Sequence, residues 1–140
     1  MAQKIPAPIS PITTTLARHI AGAADRVLPP AVVIKTKQHI LDTLAAILSG
    51  SRLKPGEMAA RYVEKLGGIP EATVIGTKLV IGAAHAALAN GMMGHADETD
   101  DSHLGGRFHP GCGVLPAAFA IAEQNDRGGL DLIRAVALGY

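Results

Sequence analysis

The 140-residue sequence contains no tryptophan, one cysteine, two phenylalanines and two tyrosines. A single cysteine cannot form an internal disulfide bond or supply the several thiolates of an iron–sulfur cluster, so we expect reducing, cytoplasmic surroundings. The formal net charge is only +1, and Lys and Arg never form a run longer than a pair. The chain therefore lacks the positive charge that would favour a nucleic acid or an anionic membrane as a partner.

The N-terminal stretch is not expected to be a signal peptide. Residues 1–10 contain Pro6 and Pro8 and no continuous apolar core, so we interpret them as a flexible lead-in. With 48% hydrophobic and 18% charged residues, residues 11–140 are expected to form one folded domain.

Apolar periodicity and helix start and stop signals predict a mostly helical domain. The predicted helices cover residues 11–24, 30–50, 55–66, 79–96, 116–123 and 132–140, and residues 72–76 are expected to be extended. The apolar face of the last helix is still running at Tyr140, which predicts that this domain is a truncated part of a larger architecture.

Polar chemistry is concentrated between residues 95 and 111, which hold three of the six histidines and four of the twelve acidic residues. Such a stretch between apolar helices is either a solvated loop or an active site, in which carboxylates and imidazoles act as proton donors and acceptors. Gly111 and Gly113 precede the predicted helix start at Pro116, where backbone N–H groups would favour a bound anion. Arg107 could add a bidentate contact to a carboxylate, or could simply be an exposed loop cation.

Several other interpretations of these residues remain open. A divalent metal could be bound by histidines and aspartates of the stretch, although no two of its histidines have the i, i+4 spacing of a helical zinc motif. Cys112 lies near a predicted helix start, but no base accompanies it in the sequence, so a nucleophilic role is not favoured. The candidate metal ligands are His95, His103, His109, Asp97 and Asp100, whereas His19, His39, His85 and Asp42 lie in helical patterns and are expected to be structural or surface residues.

A set of motifs in this order resembles the N-terminal portion of the MmgE/PrpD superfamily, which includes 2-methylcitrate dehydratase and cis-aconitate decarboxylase. The resemblance covers nearly the whole chain. The matching segments are Leu41–Ala45, Ala72–Gly76, Asn90-Gly91, His95-Ala96, Glu98–His103, His109-Pro110, Leu115–Ala118 and Ala137–Tyr140.

The resemblance implies an all-α, helical bundle-like domain, which in complete members is joined by a lid domain and assembles as a homodimer. It also implies action on di- and tricarboxylic acids without a metal or organic cofactor. Carried over by position, Glu98, Ser102 and His109 are the candidate catalytic residues. The candidate substrate-binding residues are Asp100, Asp101, His103 and Arg107.

Three departures from the family pattern matter: the first two concern the loop, and the third is length, because complete family members continue far beyond a Gly-Tyr like Gly139-Tyr140. Glu98 is one methylene longer than the usual Asp, Thr99 replaces an aromatic residue, and Ser102 lacks the methyl group of the usual Thr. In addition, residues 79–140 contain no lysine, although the family's lysines would be needed to hold a multiply charged substrate.

The expected function is the N-terminal part of a carbon–oxygen lyase similar to 2-methylcitrate dehydratase, with His109 as acid or base and Glu98 and Ser102 orienting the substrate. Decarboxylation of an unsaturated tricarboxylate would use the same groups, with the proton delivered to carbon. Two other classes remain open: an inactive helical module that dimerises through its apolar faces, and a metal-dependent hydrolase.

Overall fold

A computed structural model of the chain describes residues 9–23 and 26–140, in which the chain is mostly helical with one small antiparallel sheet. The predicted all-α class with a short extended segment is therefore confirmed. The predicted lead-in lies outside the described residues except for the exposed Ile9 and Ser10. The elements are α1 (Pro11–Ala21), α2 (Pro30–Gly50), α3 (Lys54–Leu66), β1 (Ala72–Thr73), β2 (Val80–Ile81), α4 (Ala83–Gly94), α5 (Gly111–Gln124) and α6 (Gly129–Gly139).

The first three helices begin and end at local sequence signals. The Ser10 hydroxyl accepts a hydrogen bond from the backbone N–H of Ile12 at 3.3 Å, and a proline follows it in the first turn of α1. α2 also begins at a proline, Pro30. α3 ends before Gly67, whose combination of φ 66° and ψ −153° is essentially restricted to glycine. These boundaries match the sequence prediction to within a few residues.

The helix predicted for residues 79–96 is wrong over its first four positions. Val80 and Ile81 form β2, which pairs antiparallel with β1 in the register Ala72 with Ile81 and Thr73 with Val80. The buried Asn90 of α4 secures the hairpin, because its Oδ1 accepts from the N–H of Ile75 at 2.9 Å and its Nδ2 donates to the carbonyl of Thr73 at 2.9 Å. β-Branched side chains and a nearby partner strand thus override the helical pattern here.

α4 is the central helix, and it packs against α2, α3 and α5. Its buried residues are mostly alanine and glycine, so neighbouring backbones approach it closely. The closest approach is at Gly50, the last residue of α2, where a Cβ atom would lie 1.8 Å from the Met93 carbonyl oxygen. This packing fixes the end of α4 directly before the polar loop.

α5 also differs from its prediction, because it begins at Gly111 and not at Pro116. Pro116 is buried inside the helix. It has no N–H to donate to the carbonyl of Cys112, so the helix tolerates the loss of one hydrogen bond near its start. In the described part of the chain, no helix is both long enough and apolar enough to cross a membrane.

Candidate active site

The polar loop joins the end of α4 to the start of α5. His95 caps the C-terminus of α4, and Gly111 is the first residue of α5. Asp97 fastens the loop to α2, because its carboxylate accepts hydrogen bonds from the hydroxyls of Ser49 and Thr99. These hydrogen bonds lower the pKa of Asp97 below its ordinary value. The loop is therefore held in place by its own side chains and by a neighbouring helix.

Asp100 lies between two histidines. Its side chain is fully buried, and its Oδ1 is 3.1 Å from Nδ1 of His95 and 3.4 Å from Nδ1 of His109. The two imidazole rings lie 4.8 Å apart between centroids, at 55° to one another. The contact with His95 meets hydrogen-bond geometry, whereas the buried Nδ1 of His109 is in ion-pair range of Asp100 without a hydrogen bond. A buried carboxylate requires such partners because its desolvation is costly.

Asp101 is bound by different groups from those around Asp100. Its Oδ1 accepts from the N–H of Gly111 at 2.8 Å, and its Oδ2 accepts from the hydroxyl of Tyr140 at 2.6 Å and lies 3.5 Å from Nδ1 of His39. The rings of His39 and Tyr140 are stacked at 4.3 Å. Desolvation of the phenol, its hydrogen bond to Asp101 and the charge of that carboxylate raise the pKa of Tyr140.

The expected anion site at the start of α5 is thus filled by the protein itself. The N–H of Gly111 points to Asp101, and a Cβ at this glycine would lie 2.6 Å from both Oδ1 of Asp101 and the Thr43 hydroxyl. A helix N-terminus favours a negative charge, and the Asp101 carboxylate supplies it. A substrate carboxylate would have to bind elsewhere.

The remaining predicted site residues are exposed. Glu98 has a left-handed φ of 56°. His103 belongs to a tight hairpin, in which its N–H donates to the carbonyl of Phe108 at 2.9 Å and its carbonyl accepts from the N–H of Arg107 at 2.7 Å. The structure therefore brings together His109 and Asp100, places Asp101 next to them, and leaves Glu98, Ser102, His103 and Arg107 at the surface.

Sequence reasoning did not assign roles to His39 or Tyr140, and it considered His95 only as a metal ligand. One signal for His39 exists in the sequence. Thr36 and Thr43 lie about one turn before and one turn after it on α2, and both are buried. Polar residues recurring on the buried face of an apolar helix indicate that the face packs against a polar element. Nothing comparable distinguishes Tyr140 from a core residue at a helix end.

His95, Asp100 and His109 could also hold a cation, since their ligand atoms lie within 4.8 Å of one another. Two imidazoles and a carboxylate form a donor set that suits zinc or iron.

Cys112 carries the single thiol of the chain. Burial and the charge of Asp100 raise its pKa, which disfavours the thiolate that a metal ligand or nucleophile requires.

A cleft of about 490 Å³ lies away from these histidines, between the sheet, α5 and α6. Its walls carry the carboxylates of Glu71, Glu123 and Asp126 and one cation, Arg127. Glu123 is engaged by Thr73, which donates to it from both N–H and hydroxyl at 2.7 and 2.8 Å. The excess of negative charge makes this cleft unsuitable for an anionic ligand.

Comparison with known proteins identifies the family. The model of the MmgE/PrpD N-terminal domain matches residues 14–140. This chain belongs to the MmgE/PrpD family. The cis-aconitate decarboxylase-like protein oryM of Aspergillus oryzae is 30% identical over 136 residues, and the human cis-aconitate decarboxylase is 32% identical over 133 residues. No solved structure was found to match the chain.

The alignments with these MmgE/PrpD relatives cover 92% and 91% of the chain but only 28% and 27% of the relatives. The chain thus spans little more than a quarter of their length. The family match contains the entire polar loop and both aspartate clusters.

Proposed function

We propose that this chain supplies the N-terminal part of the active site of a lyase that acts on a di- or tricarboxylic acid, with His109 as the proton-transfer group. The observation that carries the proposal is the position of His109, whose side chain is 35% exposed while its Nδ1 lies against the buried Asp100. A histidine held by a carboxylate and open to a ligand suits general acid–base catalysis. Membership of the MmgE/PrpD family supports the carboxylic-acid substrate.

Two reactions fit these groups. In decarboxylation, the bond from carbon to the departing carboxylate breaks, its electron pair remains on the substrate, and an imidazolium delivers a proton to carbon as carbon dioxide leaves. In dehydration, an imidazole removes a proton beside a carboxylate, and the hydroxyl leaves as water after it gains a proton. The names of the two relatives favour decarboxylation, and dehydration is the second candidate.

The exposed loop residues have proposed roles in substrate binding. Glu98 and Ser102 would orient the substrate, and Arg107 and His103 would contact its carboxylates from the hairpin. Because residues 79–140 contain no lysine, a tricarboxylate would need further cations from polypeptide beyond this segment or from a partner. The protein is expected to act in the cytoplasm.

The test is an assay of the 140-residue chain, and in parallel of the complete polypeptide that its reading frame encodes, with cis-aconitate, citrate and 2-methylcitrate. Ultraviolet absorbance reports on the double bond, and headspace analysis reports on carbon dioxide. We expect His109→Gln to lower kcat by about 100-fold or more, whereas His19→Gln, on the exposed α1, should match the wild type. No turnover by either polypeptide, or turnover that is unaffected at His109, would contradict the proposal.

A chelator series tests the expected independence of metals. Activity should be unchanged after dialysis against EDTA. Loss of activity with recovery on adding zinc or iron would instead assign His95, Asp100 and His109 as metal ligands.

A specific observation favours self-association as a second property. No residue of α1 is buried, and Ile12, Leu16 and Ile20 are 74%, 53% and 52% exposed. Apolar surface of this kind marks an interaction site. We propose a homodimer, tested by light scattering after size exclusion. A chain that stays monomeric at high concentration, with Leu16→Glu causing no change, would contradict it.

A further inference from the structure

We infer, on the basis of the homodimer proposed above, that the outer face of α2 pairs antiparallel with the same helix of a second copy. The proposed homodimer thereby gains a defined surface, a register and a direction for its two central helices. This face of α2 is called the α2 seam. Its six exposed positions are Ala31, Ile34, Gln38, Leu41, Ala45 and Leu48.

The α2 seam has the spacing of a coiled coil. Its positions alternate in steps of three and four residues along the 21-residue helix, and this heptad spacing brings two helices together along one line. Ile34, Leu41 and Leu48 recur at every seventh residue and are 59%, 70% and 52% exposed. The buried residues of α2 lie on the opposite side, and the helix packs against α4, α5 and α6. Within the described part of the chain, the seam is therefore an uncovered apolar stripe.

The sizes of the side chains favour a second copy in the antiparallel direction. A two-fold axis through the middle of the seam places Ala31 opposite Leu48 of the partner subunit, and it places Ala45 opposite the partner's Ile34. Each small side chain then faces a large one, so the two helices can interdigitate. A parallel pair would put alanine against alanine in two layers and leave gaps between the helices. An interface about a two-fold axis must be complementary to itself, and the antiparallel register of α2 meets this requirement.

The charges beside the seam favour the same register. Lys35 and Asp42 flank one edge, both are exposed, and neither forms an ion pair within the described residues. In the antiparallel register Lys35 lies beside the partner's Asp42, and the symmetry produces this pair twice. Lys37 lies on the other edge beside the partner's Leu44, which its methylene groups can cover. In a parallel pair Asp42 would instead face Lys37 of the partner subunit, so the two directions make different predictions.

The experiment measures the dimer Kd of the full 140-residue chain by sedimentation velocity over a dilution series. Lys35→Glu brings like charges together twice and should raise the Kd by about 10-fold. Asp42→Lys should have the same effect, and combining the two substitutions should return the Kd to within about 3-fold of the wild type. Lys37→Glu is the matched control, because it makes the same change in net charge on the same helix. Its Kd should change by less than about 3-fold.

Circular dichroism checks that each variant is folded, which we expect because every substituted side chain is exposed. Leu41→Glu, near the middle of the seam, should raise the Kd by about 100-fold or more. Dimers that respond equally to Lys35→Glu and Lys37→Glu would overturn the inference, and so would a double variant that associates no more tightly than the single ones. A stronger response to Lys37→Glu would indicate a parallel pair and would also overturn it.

Failure of the seam is distinguishable from failure of the proposed homodimer. Dimers that Leu16→Glu on α1 disrupts and Leu41→Glu does not would remove the seam and retain the homodimer. Monomers at every concentration would overturn both. None of these measurements depends on turnover, so they are independent of the proposed lyase activity.

Discussion

Replacing Gly50 with alanine should destabilise the chain, although alanine is the better helix former. Gly50 ends α2 and lies against α4, where an added Cβ would be 1.8 Å from the carbonyl oxygen of Met93 and 2.8 Å from its carbonyl carbon. Carbon and oxygen normally approach to about 3.3 Å. The two helices would therefore have to separate by roughly 1.5 Å.

The magnitude follows from two opposing effects. Exchanging glycine for alanine in a helix stabilises it by about 0.5–1 kcal/mol. Overpacking a core costs about 1–3 kcal/mol, and occasionally more. The upper part of this range applies here because the atoms in conflict belong to helical backbone and cannot rotate away. We expect a net loss of about 2 kcal/mol, which is a large share of a stability of about 5–15 kcal/mol.

Urea unfolding followed by circular dichroism measures the effect. With a slope of about 2 kcal/mol per molar urea, the midpoint of Gly50→Ala should fall by about 1 M. Gly113→Ala is the matched control, because Gly113 lies in α5 with no atom within 4 Å of an added Cβ. Its midpoint should stay constant or rise by up to about 0.5 M. A Gly50→Ala midpoint at or above that of the wild type would refute the argument from close packing.

Three further predictions concern the two aspartates. Asp101→Ala should lower the free energy of unfolding by about 1–3 kcal/mol, because the buried N–H of Gly111 loses its acceptor; a loss below about 0.5 kcal/mol in urea titrations would contradict this. The pKa of Tyr140 is raised in the folded chain from its ordinary value of 10.0, so the stabilisation is complete below that pH and declines as the pH rises above it. Between about pH 9 and about pH 11, the wild type should lose more stability than Tyr140→Phe, and equal losses would count against the hydrogen bond. Cys112, whose pKa is raised by burial and by Asp100, should react slowly with iodoacetamide at about pH 8 and faster in Asp100→Asn; equal rates for the folded and urea-unfolded chain would contradict the shift.

The helices could be predicted where local signals determine their ends. These signals are Ser10 with the proline that follows it, Pro30 at the start of α2, and Gly67 after α3. Each signal acts through the backbone of its own segment, so its effect does not depend on the surrounding fold. Pro116 is different, because its effect depends on where the helix begins. With Asp101 capping Gly111, the helix starts five residues earlier, and the proline becomes an internal residue.

The site could be predicted only in part. A concentration of histidine and acid identified the loop, but it could not distinguish Asp100 from Asp101. These adjacent carboxylates face different partners. Asp100 contacts two histidines of the loop, and Asp101 contacts His39 in the middle of α2 and Tyr140 at the end of α6. His39 and Tyr140 lie far from the loop in sequence, and their contacts with Asp101 depend on the packing of α2 and α6, which periodicity does not specify.

The partners of Asp101 have a consequence for the order of folding. The hydrogen bond to Tyr140 spans 39 positions, and the contact with His39 spans still more of the chain in the opposite direction. Closing such loops costs chain entropy before any contact repays it. During synthesis from the N-terminus, α2 and α4 can meet well before α6 exists. The Asp101 carboxylate therefore meets Tyr140 only after α6 has been made, whereas the two histidines beside Asp100 lie close to it in sequence and can reach it earlier.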